Sequence, residues 1–511
     1  MPRLVPLTLV FTLALTGAAQ ARDFPRDFLW GPAISAFQTE AGGSPANADR
    51  RSDWWVWSHD PQNIAAGRVS GDRAERGPGH WRLFERDARL ARKRLGSSAF
   101  RFSIDWSRVF PRSTAGARTP RQLDKLANRA AVRHYAAELR AIRGHGMTPM
   151  LTLNHFTLPS WLHDPLAVRE AFNGVGPDDQ PPAVKRGGWL NRSTVREFGK
   201  FAAWAAWKYG RQVRLWVTVN EPMVVAVSGY VNVPGAFAGW FPPGVFSFPG
   251  AIQVVRNLAK ANAVAYDAVH RYDRRAEVGP VHNMVAFTPS DPGSALDRRG
   301  AAHADYIFNR VYLNAVIRGF DDRDVDGVKD PGEQRGDLRG RADFIGLNYY
   351  FRSRVSGLAA PASTTIPLFD FLPTTSYAHP QNPAAPPCPT TCTDFGWEIY
   401  PRGFRRVLEL TGSYGKPVYV TENGLADADA DDDLRAQYLV GHLRRLRAAM
   451  RAGEADVKGY FAWSLVDNFG WAAGYYPRFG FFGYDQRTLE RRERPSAGVF
   501  RRIARSGRLP G

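Results

Sequence analysis

Cysteine is almost absent from this chain. Its only two, Cys388 and Cys392, stand four apart in PPCPTTCTD, within a sequence of 511 residues. Two thiols alone do not make a typical zinc site, and they cannot staple a whole fold. The spacing suits a local disulfide across one loop, with two free thiols as the alternative. Long apolar runs are scarce too. After residue 21 no stretch is long and apolar enough to span a bilayer, so a soluble protein without a stable membrane anchor is expected. Acidic residues are in deficit: 49 Asp and Glu face 68 Lys and Arg, for a formal charge of +19. Such a charge attracts polyanions. Here, however, the cations are scattered through segments such as ARLARKRLG and RRERP, with no nucleic-acid motif beside them. They read as a generally basic solvated surface and imply no nucleic-acid partner. Apolar and aromatic residues are plentiful, at 44% and 13%, which suits a large ordered core and excludes a disordered chain.

One apolar run opens the chain, in MPRLVPLTLVFTLALTGAAQA. Arg3 supplies a positive end, Leu4 to Leu15 is mostly apolar, and Ala19-Gln20-Ala21 fits a small-residue cleavage site. Residues 1–21 are therefore expected to be a signal peptide, and the mature chain secreted or periplasmic. The run is too short for a membrane anchor, and no cysteine near the cleavage site invites a lipid.

Eight short apolar runs then recur: FLWGPAISAF, AFRFSIDW, TPMLTLNHF, RLWVTVNEP, VGPVHNM, DFIGLNYY, PVYVTENG and KGYFAWSL. Each suits a strand buried on both faces. Segments with helical spacing separate them, among them 81–95, 131–146, 193–210, 251–272 and 432–453, with Gly146, Gly210 and Gly453 at expected stops. The alternation predicts a (β/α)8 TIM barrel as one domain over 22–511; a doubly wound sheet is the alternative. Polar residues favour the barrel, because they collect at the C-terminal strand ends, which a barrel gathers into one mouth. Pro/Gly-rich stretches at 164–190, 232–250 and 353–398 read as long loops around it.

Two acids stand out at those ends. TVNEP places Glu221 after the fourth run, and VTENG places Glu422 after the seventh. Alone, the first is also a helix cap and the second a turn. Paired at one mouth, they suit glycosidic cleavage: one carboxyl protonates the leaving oxygen while the other meets the developing oxocarbenium ion.

With FLWGPAISAFQTEA, FRFSIDWSRVFP, TVNEP, GLNYY, VTENG and WSLVDN in this order, the chain resembles the family 1 glycoside hydrolases, the β-glucosidase and β-galactosidase type. NHFTLPSWLHDP and TDFGWEIYP look like the archaeal branch. The similarity runs from about Phe28 to Ile503. It implies hydrolysis of small β-linked glycosides by retaining double displacement, with no cofactor for catalysis. Glu221 would be the acid/base and Glu422 the nucleophile, with carboxyl groups roughly 5–5.5 Å apart. Arg101 would keep Glu422 ionised, and Tyr350 would donate to it. Gln38, His155 and Asn220 match ligands of the sugar hydroxyls. Trp463 and Trp471 would wall the pocket, and Trp397 matches the leaving-group platform. Trp54, Trp55, Trp204 and Trp207 lack motif support and are expected in the core. A transglycosylase and a noncatalytic carbohydrate-binding relative are the competing functions; the second has no need of both acids.

Two positions depart from the family pattern. Phe156 stands where Trp is usual. Gly470 stands where the family has a Glu that accepts from the sugar O4 and O6 hydroxyls, so glycone preference is expected to be altered. A 6-phosphoglycoside branch also lacks that Glu, but it carries Lys and Tyr where this chain has Pro477 and Phe479.

Finally, DRDVDGVKDPGE at 322–333 has calcium-loop spacing. Asp322, Asp324, Asp326, the Val328 carbonyl, Asp330 and Glu333 would be the ligands of a structural Ca2+, with Gly327 at the sharp turn. An acidic turn is the alternative. Lys329 replaces the apolar residue usual at its position, and Pro331-Gly332 disfavour a long helix after the loop.

Overall fold

A computed structural model describes residues 22–231 and 239–510. The expected signal peptide, and part of the 232–250 loop, lie outside the described residues. Strands form at all eight apolar runs: β1 (Leu29–Ala33), β2 (Ala99–Ser103), β3 (Thr148–Asn154), β4 (Leu215–Asn220), β5 (Glu277–Pro289), β6 (Ile345–Gly357), β8 (Val418–Asn423) and β9 (Val457–Trp463). They pair in parallel in the order β5-β4-β3-β2-β1-β9-β8-β6, and a β5–β6 pairing closes the ring. The doubly wound alternative has open edges and is thereby excluded. Every residue of β4 and β8 is buried, as expected of strands with side chains inside the barrel and helices outside it.

The five helical segments form at His80–Arg94, Arg129–Gly144, Arg192–Tyr209, Phe248–Tyr272 and Asp433–Arg451. Gly146 and Gly453 follow helix ends with φ of 71°, the left-handed value that glycine adopts without strain. Gly210 behaves differently. Its φ is −52°, and the chain runs on through a 3-10 turn at Gly210–Gln212.

Two features depart from the sequence reading. A short strand, β7 (Phe371–Thr374), forms inside the 353–398 loop and pairs antiparallel with the outer half of β6. Trp207 is 38% exposed, with the Lys208 ammonium 5.5 Å from its ring centre, so it covers the surface and not the core. Trp54 and Trp204 are fully buried, and Trp55 packs against the core from its edge.

β5 and β6 continue past the barrel rim. Ala286–Pro289 pairs there with Arg352–Val355 and builds one side of the mouth. Beyond β9, β10 (Phe482–Tyr484) and β11 (Arg491–Glu493) form an antiparallel pair.

Candidate active site

The strand ends bring three predicted residues into one hydrogen-bonded group around the two acids. From β2, the fully buried Arg101 guanidinium donates to Glu422 Oε1 at 2.5 Å, to the Thr421 carbonyl at 3.1 Å and to Asn220 Oδ1 at 2.6 Å. From β6, the Tyr350 hydroxyl donates to Glu422 Oε2 at 2.5 Å. Burial, then the Glu422 and Glu221 charges, raise the Tyr350 pKa well above normal, so the hydroxyl keeps its proton as a donor. Both oxygens of Glu422 thus accept charge-assisted or strong hydrogen bonds.

Glu221 sits differently. It starts the helix Pro222–Tyr230 with φ 49° and ψ 60°, a left-handed conformation that costs a non-glycine residue about 1–2 kcal/mol. Its Oε1 accepts from Asn348 Nδ2 at 2.6 Å and from Asn283 Nδ2 at 3.3 Å. Burial, then the charge of Glu422, push its pKa up to about 8, against the Asn348 hydrogen bond and the Arg101 charge. Strain recurs around it. Phe156 (φ 70°) and Trp471 (φ 57°) are also left-handed, and both line the same cavity. Side chains held this way cluster where function over-determines the backbone.

Asn283, Asn348 and Thr421 were not among the predicted site residues. Thr421 Oγ1 donates to Asn348 Oδ1 at 2.7 Å and so aims the Asn348 amide at Glu221. The sequence signal for Asn348 was its place in GLNYY. Asn283 had a weaker one, as the polar residue near the end of VGPVHNM.

Asn220 Oδ1 accepts from Arg101, and its buried Nδ2 has no partner among the described residues. His155 is held neutral, because burial and then Arg101 lower its pKa well below normal. Its ring stacks between Trp463 and Trp471, with centroids 5.9 and 6.1 Å away. Gln38 lines the cavity, but its amide is engaged by the protein. Nε2 donates to Asn468 Oδ1 and the Phe469 carbonyl, and Oε1 accepts from Ser35. Trp397 stands on the opposite wall, stacked on Phe351 at 5.1 Å and beside Tyr350 at 5.4 Å.

Trp471 packs against Phe37, Trp54 and Phe156 at 5.8, 4.6 and 5.1 Å. Its neighbour Gly470 has an ordinary φ of −80°, so conformation does not demand glycine there. Space does. A Cβ at this position would meet Pro477 Cγ at 2.6 Å and the Gly474 carbonyl at 3.0 Å.

The acidic loop gathers as its spacing predicted. Carboxylate oxygens of Asp322, Asp324 and Glu333 lie within 4.8 Å of one another, as do those of Asp324, Asp326 and Asp330. The N–H groups of Asp326 and Gly327 donate to Asp322, and Gly327 has φ 78°. The Val328 N–H donates to Asp326 Oδ1. Cys388 and Cys392 are disulfide-bonded, with Cα atoms 6.1 Å apart.

Comparison with known proteins agrees with this geometry. The "Glycosyl hydrolase family 1" model matches residues 20–167 and 179–508. A β-galactosidase of Pyrococcus woesei is 36% identical over 94% of this chain and 96% of its own length. A β-galactosidase of Sulfolobus acidocaldarius is 36% identical over 96% of each. Among solved structures, the β-glycosidase of Thermosphaera aggregans superposes with a TM-score of 0.81 at 36% identity, over 95% of this chain and 98% of that one. An eight-strand barrel with paired acids at its mouth and matches along nearly its full length place this chain in glycosyl hydrolase family 1, as a glycoside hydrolase.

Proposed function

We propose that the chain is a retaining β-glycosidase that hydrolyses small β-linked glycosides. The unequal environments of its two acids carry this reading. Glu422 accepts hydrogen bonds from Arg101 and Tyr350 on its two oxygens, whereas Glu221 is buried with its pKa pushed to about 8. Paired carboxyl groups in unlike environments are what acid and nucleophile require. Glu422 attacks the anomeric carbon as Glu221 gives its proton to the leaving oxygen. The departing alcohol leaves a glycosyl ester on Glu422. Glu221, now a carboxylate, takes a proton from water as that water attacks the same carbon, and both acids return to their starting states. The unpartnered Nδ2 of Asn220 supports its role as a donor to the sugar 2-hydroxyl. His155 serves a further hydroxyl, Gln38 keeps only the second lone pair of Oε1 for one, and Trp463 and Trp471 give the ring its flat walls. Transglycosylation is the same chemistry with an alcohol in place of that water.

The relatives are named β-galactosidases and β-glucosidases, so both glycones belong in the test. The experiment is a panel of aryl β-glycosides differing at C4 and C6, with uronides and 6-substituted sugars included. Glu422→Ala is expected to abolish turnover, and azide to restore it with inverted product. Full activity in that variant would refute the mechanism.

The leader-like composition of residues 1–21 and the Cys388–Cys392 bond support export to an oxidising compartment. A mature N-terminus at Arg22 is expected; retention of Met1 on the exported protein counts against it. The clustered carboxylates of the 322–333 loop support a structural Ca2+ held by Asp322, Asp324, Asp326, Asp330, Glu333 and the Val328 carbonyl.

A further inference from the structure

Two residues beyond Gln38, the buried Glu40 ends the short helix Ala36–Thr39. It meets the helix Arg129–Gly144, in which His134 and Glu138 stand one turn apart on the buried face. One ligand atom from each of the three lies within 4.8 Å of those of the other two, and His134 Nε2 is 3.8 Å from Glu138 Oε2. That is close to the spacing of ligands around an ion that binds each at about 2.0–2.2 Å.

The donors are not used up by the protein. His134 Nε2 and Glu138 Oε2 are buried and have no hydrogen-bond partner among the described residues. Interior polar atoms without partners are rare, and each calls for a reason. Burial, then the charges of His80 and Arg108, lower the His134 pKa to about 3, so its ring is neutral and one nitrogen keeps a lone pair. Both carboxylates are braced by other groups. His80 Nε2 donates to Glu138 Oε1 at 2.9 Å, and Arg108 Nε meets Glu40 Oε2 at 2.5 Å. Trp81 stacks on the His134 ring at 3.7 Å and fixes its plane. Partners of this kind orient the ligands of metal sites. His134 remains 9% exposed, which gives an ion a way in from solvent.

Charge points the same way. Five buried carboxyl groups, Glu40, Asp49, Asp87, Asp105 and Glu138, face three cations, Arg108, Arg491 and His80. Two buried carboxylates are thus left without a counter-charge, and a divalent ion supplies both charges at once.

We infer that Glu40, His134 and Glu138 form a binding site for a divalent transition-metal ion of the Zn2+ type, which ties the helix Arg129–Gly144 to the segment that bears Gln38. An imidazole with two carboxylates suits Zn2+, whereas Ca2+ and Mg2+ prefer oxygen ligands throughout. Three protein ligands leave a fourth position for water. The site shares no residue with the 322–333 loop and does not depend on the identity of the sugar or of the leaving group.

The test strips the full-length protein with a chelator, restores millimolar calcium, and titrates in Zn2+, with Co2+ as the spectroscopic probe. The wild-type protein is expected to bind Co2+ with visible absorption bands and a hyperfine-shifted imidazole N–H resonance. That resonance separates this site from the 322–333 loop, whose ligands are all oxygens. Zn2+ should displace the Co2+ and raise Tm. His134→Phe, which keeps a ring against Trp81, should abolish the shifted resonance and weaken Zn2+ binding by about a hundredfold or more. Asp324→Ala, in the acidic loop, should leave both unchanged. A wild-type protein that binds Co2+ without nitrogen ligation, or not at all, overturns the inference. So does a His134→Phe protein that binds Zn2+ as tightly as the wild type. The wild-type titration needs no variant, so a misfolded His134→Phe does not spare the inference.

Discussion

Glu221 and Glu422 share a residue type and equivalent places at strand ends, yet their surroundings divide their work. Glu422 accepts from Arg101 and Tyr350; Glu221 has two amide donors and burial. A pKa near 8 keeps Glu221 protonated at neutral pH, so with Glu221 as the proposed acid, activity is expected to fall as pH rises through that value. For alkyl glycosides kcat/KM is therefore expected to fall on an alkaline limb centred near pH 8. With a dinitrophenyl glycoside, whose leaving group needs no proton, glycosylation should lose that limb. An equal limb for both substrates would remove Glu221 from the acid role. Gly470 makes a second residue-scale prediction. From the sequence it is a missing sugar ligand; in the structure it is also the contact surface of Pro477. Gly470→Glu should cost about 1–3 kcal/mol by overpacking and lower Tm. Adding Pro477→Ala, which removes the obstructing ring atoms, should restore much of it and move the glucoside-to-galactoside ratio. An unchanged Tm in the single variant would mean that the loop yields without cost.

Among the elements, long periodic segments were legible and short irregular ones were not. All eight barrel strands were visible because burial on both faces writes a continuous apolar run. β7 was not. It is four residues, FLPT, with a proline that usually marks an edge or a break, and only the outer half of β6 holds it in place. The clustering of carboxylates in the 322–333 loop was legible from their spacing along the chain. Ca2+ bound only to the folded state is expected to raise Tm, by a stabilisation of about 2.7 kcal/mol at a hundredfold excess over Kd. Thermal melts in EDTA and in millimolar calcium measure this, and coincident curves would leave the loop an acidic turn.

Across the whole molecule, a buried ionic group ties the start of the barrel to its end. His80 donates to Asp87 at 2.8 Å and to Glu138 at 2.9 Å, and Arg491 of β11 donates to Asp87 at 2.7 Å. Burial alone would lower the His80 pKa, but Glu138 and Asp87 raise it to about 10. The folded value lies above the unfolded one, so this stabilisation is full below about pH 6.5 and is lost as pH rises through 10. Tm should fall between pH 7 and 10. His80→Phe, which breaks a buried pair worth about 3–5 kcal/mol, should lower Tm at pH 7 and flatten that slope. A wild-type Tm that holds steady over the same range would show that His80 is uncharged in the fold.

By itself the sequence determined the barrel, its strand order along the chain, the two acids and the calcium-loop spacing. Each is a local pattern, set by burial periodicity or by chemistry that needs particular residues at particular intervals. Only the tertiary structure decided the unlike surroundings of the two acids, because Asn283, Asn348 and Thr421 reach the Glu221 side of the site from three different strands. It alone decided that Gly470 faces Pro477. These depend on side chains distant in sequence meeting in space, and no short stretch of sequence records such a meeting.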